Sequence, residues 1–87
     1  MSRILPLGEK ASLAVGVGNS TTVGNATVVR VLSTAGAAVV TRTDSSGAII
    51  GSFTTLNNSV DLVEKKPSDF IYVTTAVVEV SKVGFTN

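Results

Sequence analysis

Short runs of β-branched residues constrain the fold of this chain more than any other feature. Val, Ile and Thr recur in brief segments that are separated by clusters of Gly, Asn, Asp and Ser. β-Branched side chains lose rotamer freedom in a helix and pack well on a pleated sheet. The turn clusters recur at intervals of about 8 to 12 residues, which is typical of antiparallel all-β folds. The sequence therefore predicts strands almost throughout.

The alternation of apolar and polar residues predicts eight strands. They span residues 3–7, 11–17, 27–32, 38–43, 48–54, 60–64, 70–73 and 77–83. Pro6 restricts the first strand to a sheet edge, because proline has no N–H to donate to a neighbouring strand. We expect a single domain over residues 1–87, folded as a small antiparallel β-sandwich or compact β-barrel of about seven or eight strands.

The turn Asp44-Ser45-Ser46-Gly47 is the strongest local signal. Asp and Ser side chains hydrogen-bond to nearby backbone, and Gly accepts a positive φ, so this cluster between two β-branched runs predicts a hairpin. Gly51, inside the returning strand, predicts a bulge or a close backbone approach.

The period of two along each run also predicts which residues face the interior. In residues 27–32, for example, Val29 and Val31 form the cleaner apolar face and Arg30 is expected to point outward. The predicted core consists of Leu13, Val15, Val29, Val31, Val40, Ile49, Phe53, Leu62, Ile71, Val73, Val78 and Val80.

The composition lacks the residues that most often carry chemistry. There is no His, Cys or Trp, so the usual titrating base, the most readily activated nucleophile and the common zinc ligands are missing. We expect no enzymatic activity, no catalytic or cofactor-binding residues, no metal and no disulfide. Hydrophobic residues make up 44% of the chain and charged residues 15%, against roughly 25% charged in an average domain. Part of the apolar surface is therefore expected to be covered by partners, in a homo-oligomer or a multi-copy assembly.

The charge pattern and the lengths of the apolar stretches exclude two classes of partner, nucleic acids and membranes. The formal net charge is +1 and the two signs are interleaved, whereas nucleic-acid binders present a basic face. No apolar stretch approaches the ~18 to 20 residues that span a bilayer. Residues 1–10 lack the apolar centre and cleavage site of a signal peptide. The sequence predicts no nucleic-acid partner, no membrane and synthesis in a cytoplasm without export by that route.

Several motifs have simpler explanations than the function they suggest. The glycines of Gly16-Val17-Gly18-Asn19 resemble a phosphate-binding loop, but no helix follows whose N–H groups would hold the anion. The sequons that begin at Asn19, Asn25 and Asn57 are expected by chance in a chain rich in Ser, Thr and Asn.

Charged residues are similarly interpreted. Asp44, Asp61 and Glu64 do not form the run of alternating ligands that calcium needs, so we interpret Asp44 as a turn residue and the other two as a solvated face. Lys65 and Lys66 are the only adjacent like charges. They either attract an acidic partner or keep a strand end soluble and unpaired, and the second interpretation is the simpler.

The C-terminal two thirds of the chain resembles small virion structural proteins of tailed marine bacteriophages, including cyanophages. The likeness spans residues 27–87, and residues 1–24 depart from it. Four segments carry it: residues 28–31 (VVRV), 43–53 (TDSSGAIIGSF), 63–69 (VEKKPSD) and 82–87 (KVGFTN).

The resemblance implies a virion component without catalytic activity. We expect a decoration or cement protein that binds the major capsid protein or other virion proteins and stabilises the shell, since a modest apolar contact repeated over many copies adds up. A neck, tail or fibre position is the alternative. An adhesion module is a further hypothesis, with the polar loops at residues 18–24 and 56–59 as its contact sites.

Overall fold

The chain folds into eight strands. The computed structural model describes residues 3–86. The strands are β1 (Arg3–Pro6), β2 (Ala11–Leu13), β3 (Val28–Ser33), β4 (Ala38–Thr43), β5 (Ile49–Thr55), β6 (Ser59–Glu64), β7 (Phe70–Thr74) and β8 (Val78–Thr86). Within residues 3–86, the 3-10 turn Val17–Asn19 is the only helical element. The all-β prediction is confirmed. Met1, Ser2 and Asn87, the ends of the predicted domain and of the last segment of resemblance, lie outside the described residues.

The strands form two antiparallel sheets. In the first sheet the order is β1-β8-β3-β6, and β2 pairs with β8 as well. β8 is long enough for β2 to pair with its first residues and β1 with its last, while β3 runs along the opposite edge. In the second sheet the order is β5-β4-β7. The apolar cluster between the sheets draws residues from both of them, so the fold is a β-sandwich.

Most of the predicted core is buried. The residues confirmed as buried are Leu13, Val29, Val31, Val40, Ile71, Val73, Val78 and Val80. As predicted, Val29 and Val31 face the interior, and Arg30 lies on the outer face of β3.

Four core predictions are wrong, and three of them lie on two neighbouring strands. Val15, Ile49, Phe53 and Leu62 are 43%, 66%, 37% and 44% exposed. Leu62 lies on the outer face of β6, because Val63 takes the interior position. Ile49 and Phe53 belong to β5, where every residue except Thr55 is exposed. The sandwich is open along this side.

The predicted second strand is too long. β2 ends at Leu13, and Gly16 adopts a φ of 118° that turns the chain away from the first sheet. Val15 then makes an isolated parallel bridge with Val73 in the second sheet, which leaves its side chain at the surface. The last strand is longer than predicted and continues to Thr86, since β1 pairs with its end.

The predicted hairpin between β4 and β5 is confirmed. Asp44 Oδ1 accepts hydrogen bonds from Ser46 N at 2.9 Å, Ser46 Oγ at 2.8 Å and Ala48 N at 2.9 Å. The Ser46 hydroxyl, followed by the backbone donors, lowers the pKa of Asp44. Gly47 has a φ of 94°. The predicted bulge is also confirmed, because Arg42 pairs with Gly51 while Thr43 pairs with Ile49, which leaves Ile50 as the extra residue.

Candidate interaction surface

One edge of the second sheet is covered by the chain itself. The segment after β2 runs along β7, where Gly16 N donates to Val73 O at 2.8 Å. Thr21 N donates to Ile71 O at 3.0 Å, and Ile71 N donates to Thr21 O at 2.9 Å. These bonds satisfy backbone groups that an edge strand would otherwise present to solvent or to another chain. We call this the closed side.

The opposite edge of the sandwich is uncovered within residues 3–86. β5 ends the second sheet, β6 ends the first, and the turn at residues 56–58 connects them. We call this the open side. Its exposed apolar residues are Ile49, Ile50, Phe53, Leu56, Val60 and Leu62.

β5 lacks charge and proline, two of the features that usually protect an edge strand, although it carries the bulge at Ile50. Natural proteins discourage unwanted pairing with charges, prolines or very short edge strands. β5 has seven residues, IIGSFTT, with no charge and no proline. The other edges differ, because β6 carries Asp61 and Glu64 and β1 ends at Pro6. β5 is therefore the edge best suited to accept another strand.

An apolar groove lies between the two strands of the open side. It has a volume of about 280 Å³. Phe53 of β5 and Val63 of β6 line opposite walls, and Val40 of β4 lies between them. Ile50 and Gly51 extend the groove toward the start of β5. The groove is thus the mouth of the hydrophobic core on the open side.

The groove continues into a second, more polar hollow of about 400 Å³, which we call the basic end because Arg42, Lys65 and Lys66 line it. Arg42 and Glu64 line both hollows, so the two are adjacent. Thr27 and Val28 complete the lining.

An ion pair between the half-buried Arg42 and the buried Asp69 anchors the basic end. Asp69 is 3% exposed. Its Oδ2 accepts from Arg42 Nε at 2.9 Å and from Lys66 N at 3.1 Å, and Arg42 Nη2 lies 2.9 Å from the same oxygen as an ion pair. Burial alone would raise the pKa of Asp69, but these hydrogen bonds and the charges of Arg42 and Lys66 outweigh it and hold the pKa below its usual value. The pair links β4 to the turn between β6 and β7.

Lys65 is the least expected residue of the basic end. Lys66 is exposed, as predicted for a solvated strand end, but Lys65 is only 4% exposed, and the prediction is wrong for it. Burial lowers the pKa of Lys65, partly offset by Asp69, while Arg42 adds to the lowering. Its Nζ donates to Lys66 O at 3.3 Å and Pro67 O at 3.4 Å. Charged donors usually bond at about 2.7–2.9 Å, so this ammonium is weakly satisfied.

A second groove lies at the other side of the molecule, with a volume of about 580 Å³. It is bounded by β2 and by the polar loop at residues 18–24. Lys82 lines it and donates from Nζ to Gly24 O at 3.1 Å. Val23, which also lines it, has a φ of 54°, a conformation that is unfavourable for a β-branched residue.

The residues of the candidate phosphate and calcium motifs lie apart in the fold. The Gly16–Asn19 segment forms a 3-10 turn in which Asn19 Nδ2 donates to Val15 O at 3.1 Å. Asp61 and Glu64 lie on opposite faces of β6, and Asp44 holds the hairpin turn. Among residues 3–86, no three metal-ligating side chains lie together. No helix in that part of the chain is long and apolar enough to cross a membrane.

The adhesion hypothesis named two polar loops, and the fold places them apart. Residues 18–24 border the groove of Lys82, whereas residues 56–59 connect the two strands of the open side. Sequence reasoning missed the open side because the apolar residues of β5 are of the types that a buried strand contains, whereas all residues of β5 except Thr55 are exposed. Comparison with known proteins gives no relative: no protein-family profile, curated protein or solved structure matches this chain.

Proposed function

We propose that this chain is a non-enzymatic structural protein that docks onto neighbouring proteins through its open side. The observation that carries the proposal is β5, an uncharged edge strand of seven residues with Ile49, Ile50 and Phe53 exposed. An exposed edge of this kind adds readily to the sheet of a partner, through backbone hydrogen bonds and alternate side-chain pockets.

The most specific form of the proposal is a capsid decoration protein of a tailed bacteriophage. The resemblance of residues 27–87 to small virion proteins supports it, and the segment at residues 43–53 includes the first part of β5. A small domain with few charges and an unprotected edge suits the repeated contacts of a shell, where many weak interfaces act together. The major capsid protein is the proposed partner.

Binding to capsids tests this proposal. Recombinant protein is added to expanded capsids of the encoding phage that lack it, and the products are followed by co-sedimentation and by the temperature of capsid disruption. We expect the protein to bind and to raise that temperature. Equal stability of the capsids with and without the protein would contradict a role in the shell.

Two exposed threonines provide a matched pair of variants. Thr54 and Thr74 both pair with Val39 of β4, one from the open side and one from β7. A lysine on an edge strand discourages pairing, so Thr54→Lys should abolish capsid binding while Thr74→Lys should leave it unchanged. Equal binding by both variants would exclude the β5 edge as the contact.

The copy number in the particle separates the shell from the alternative position. Quantitative mass spectrometry of purified virions is expected to give hundreds of copies for a decoration protein. A few copies, or tens, would instead favour the neck, tail or fibre.

A further inference from the structure

The open side combines an apolar groove with a basic end, and this combination indicates the chemistry of its occupant. Phe53, Val63 and Val40 offer an apolar surface to an apolar side chain. The charged residues of the groove, Arg42 and Glu64, are those it shares with the basic end. Arg42 and Glu64 belong to both hollows, so a ligand in the groove lies next to the basic end.

The cations of the basic end retain unused hydrogen-bonding capacity. Arg42 directs Nε and Nη2 to a single oxygen of Asp69, and a guanidinium has five N–H donors. Lys65 is buried, makes no salt bridge within residues 3–86, and reaches only two carbonyl oxygens at long distance. A buried ammonium whose carboxylate neighbour, Asp69, lies beyond salt-bridge distance is costly, and an incoming carboxylate would supply a closer acceptor.

The local charge balance favours an anion. Arg42, Lys65 and Lys66 face the carboxylates of Asp69 and Glu64, which leaves an excess of one positive charge. Asp69 is buried, and its Oδ2 is engaged by Arg42 and by the backbone of Lys66. Glu64 is exposed and is the carboxylate that a ligand would have to avoid.

We propose that the open side binds an extended segment of a partner protein that places an apolar side chain between Phe53 and Val63 and an adjacent carboxylate at Lys65 and Lys66. The inference rests on the proposed docking function and specifies the partner's segment. An extended backbone suits the site because β5 and β6 are the end strands of their sheets and residues of both line the groove. Charge complementarity then fixes which end of the segment lies at the basic end.

A pair of synthetic peptides tests the proposal. Both are six residues long, acetylated and amidated, alternate Val and Thr, and end in Asp or in Asn. Titration of isotope-labelled protein, followed by NMR, should show shifts at Ile50, Phe53 and Val63 and tighter binding of the Asp peptide. Charge-assisted hydrogen bonds exceed neutral ones by enough to predict about a tenfold difference in Kd.

Three variants locate the carboxylate. Lys65→Met and Lys66→Gln should each reduce the preference for the Asp peptide, whereas Lys10→Gln, at an exposed lysine paired with Glu79, should not. Equal affinity for the two peptides, no binding of either, or shifts confined to the groove of Lys82 would overturn the proposal. Shifts that depend on protein concentration alone would assign the open side to a second copy instead.

The same variants distinguish failure of this proposal from failure of the docking function. If Thr54→Lys abolishes capsid binding but Lys65→Met and Lys66→Gln bind normally, docking through β5 stands and the acidic segment is excluded. If the wild-type protein prefers the Asp peptide but does not bind capsids, the capsid role falls and the peptide site remains.

Discussion

The two edges of the second sheet flank the same strand, β4, and end in opposite ways. Along β7 the chain supplies its own cover, with backbone bonds from Gly16 and Thr21. Along β5 the described chain supplies none, although β5 is the longer edge strand and exposes Ile49, Ile50 and Phe53. The difference shows that this small fold completes one edge internally and leaves the other uncovered within the described residues, without protecting it with charge.

The largest expected effect is a difference in the free energy of unfolding between a substitution on the closed side and one on the open side. Ile71 is fully buried beneath the closed side, whereas Ile49 on β5 is 66% exposed. Ile71→Ala should lower the free energy of unfolding by about 2–5 kcal/mol, because it leaves a cavity. Ile49→Ala should change it by less than about 0.5 kcal/mol. Urea unfolding measures both, and similar losses would contradict the open description of β5.

A smaller effect is expected at the ion pair of the basic end. Asp69→Asn removes the charge that pairs with Arg42 and should lower the midpoint of thermal unfolding at neutral pH, by less than Ile71→Ala does. Because the folded chain holds the pKa of Asp69 below 3.8, the stabilisation is present above the unfolded pKa and is lost as pH falls through the folded one.

The acid dependence therefore distinguishes the ion pair from simple packing. The gap between wild type and Asp69→Asn should narrow as the pH falls below about 4. Asp61→Asn is the control, since Asp61 forms no salt bridge within the described residues. A gap that stays constant down to pH 2 would show that Asp69 acts through packing alone.

Lys65→Met should have the opposite sign. Replacing a buried, weakly satisfied ammonium with an apolar side chain of similar volume should raise the free energy of unfolding by about 1 kcal/mol at neutral pH. A loss of stability would mean that Lys65 stabilises the fold and would weaken the case for a ligand-binding role.

The difference in the free energy of unfolding between Lys65→Met and wild type should also depend on pH. Burial lowers the pKa of Lys65 below 10.5, so the folded chain releases this proton at a lower pH than the unfolded chain does. The unfolded state then binds more protons, and wild-type stability should rise as pH climbs through the folded pKa toward 10.5. Lys65→Met should lack this rise. Parallel pH profiles for the two proteins would contradict the assignment.

The smallest effect is expected in the turn that follows β7. Thr75, in the turn between β7 and β8, is exposed and has a φ of 82°. This conformation costs an L-residue about 1–2 kcal/mol, and glycine avoids it at an entropic cost of about 0.5–1 kcal/mol. Thr75→Gly should therefore raise the free energy of unfolding by about 0.5 kcal/mol. A loss would show that the threonine side chain makes a compensating contact.

Local chemistry made much of the fold predictable from sequence. The hairpin at Asp44 and the bulge near Gly51 depend on turn residues and on side chains close in the chain. The alternation in β3 is equally local, and it correctly places Val29, Val31 and Arg30.

The open side could not be predicted because burial depends on neighbours that the pattern does not specify. Ile49 and Phe53 are residue types typical of a core, yet both are exposed. Only the strand order β5-β4-β7 shows that β5 is an end strand, which no further strand covers within the described chain. The burial of Lys65 likewise depends on the turn that brings Asp69 to Arg42. A period of two identifies faces of a strand, but not which edges a fold leaves free.

If this chain docks through β5, the open side is covered in the assembled particle and the closed side is complete without it. Amide hydrogen exchange, compared between free protein and protein in intact virions, measures this directly. Residues 49–55 should exchange rapidly in the free protein and become strongly protected in the particle, while residues 70–74 should be protected in both. Equally rapid exchange of residues 49–55 in both states would contradict docking through β5.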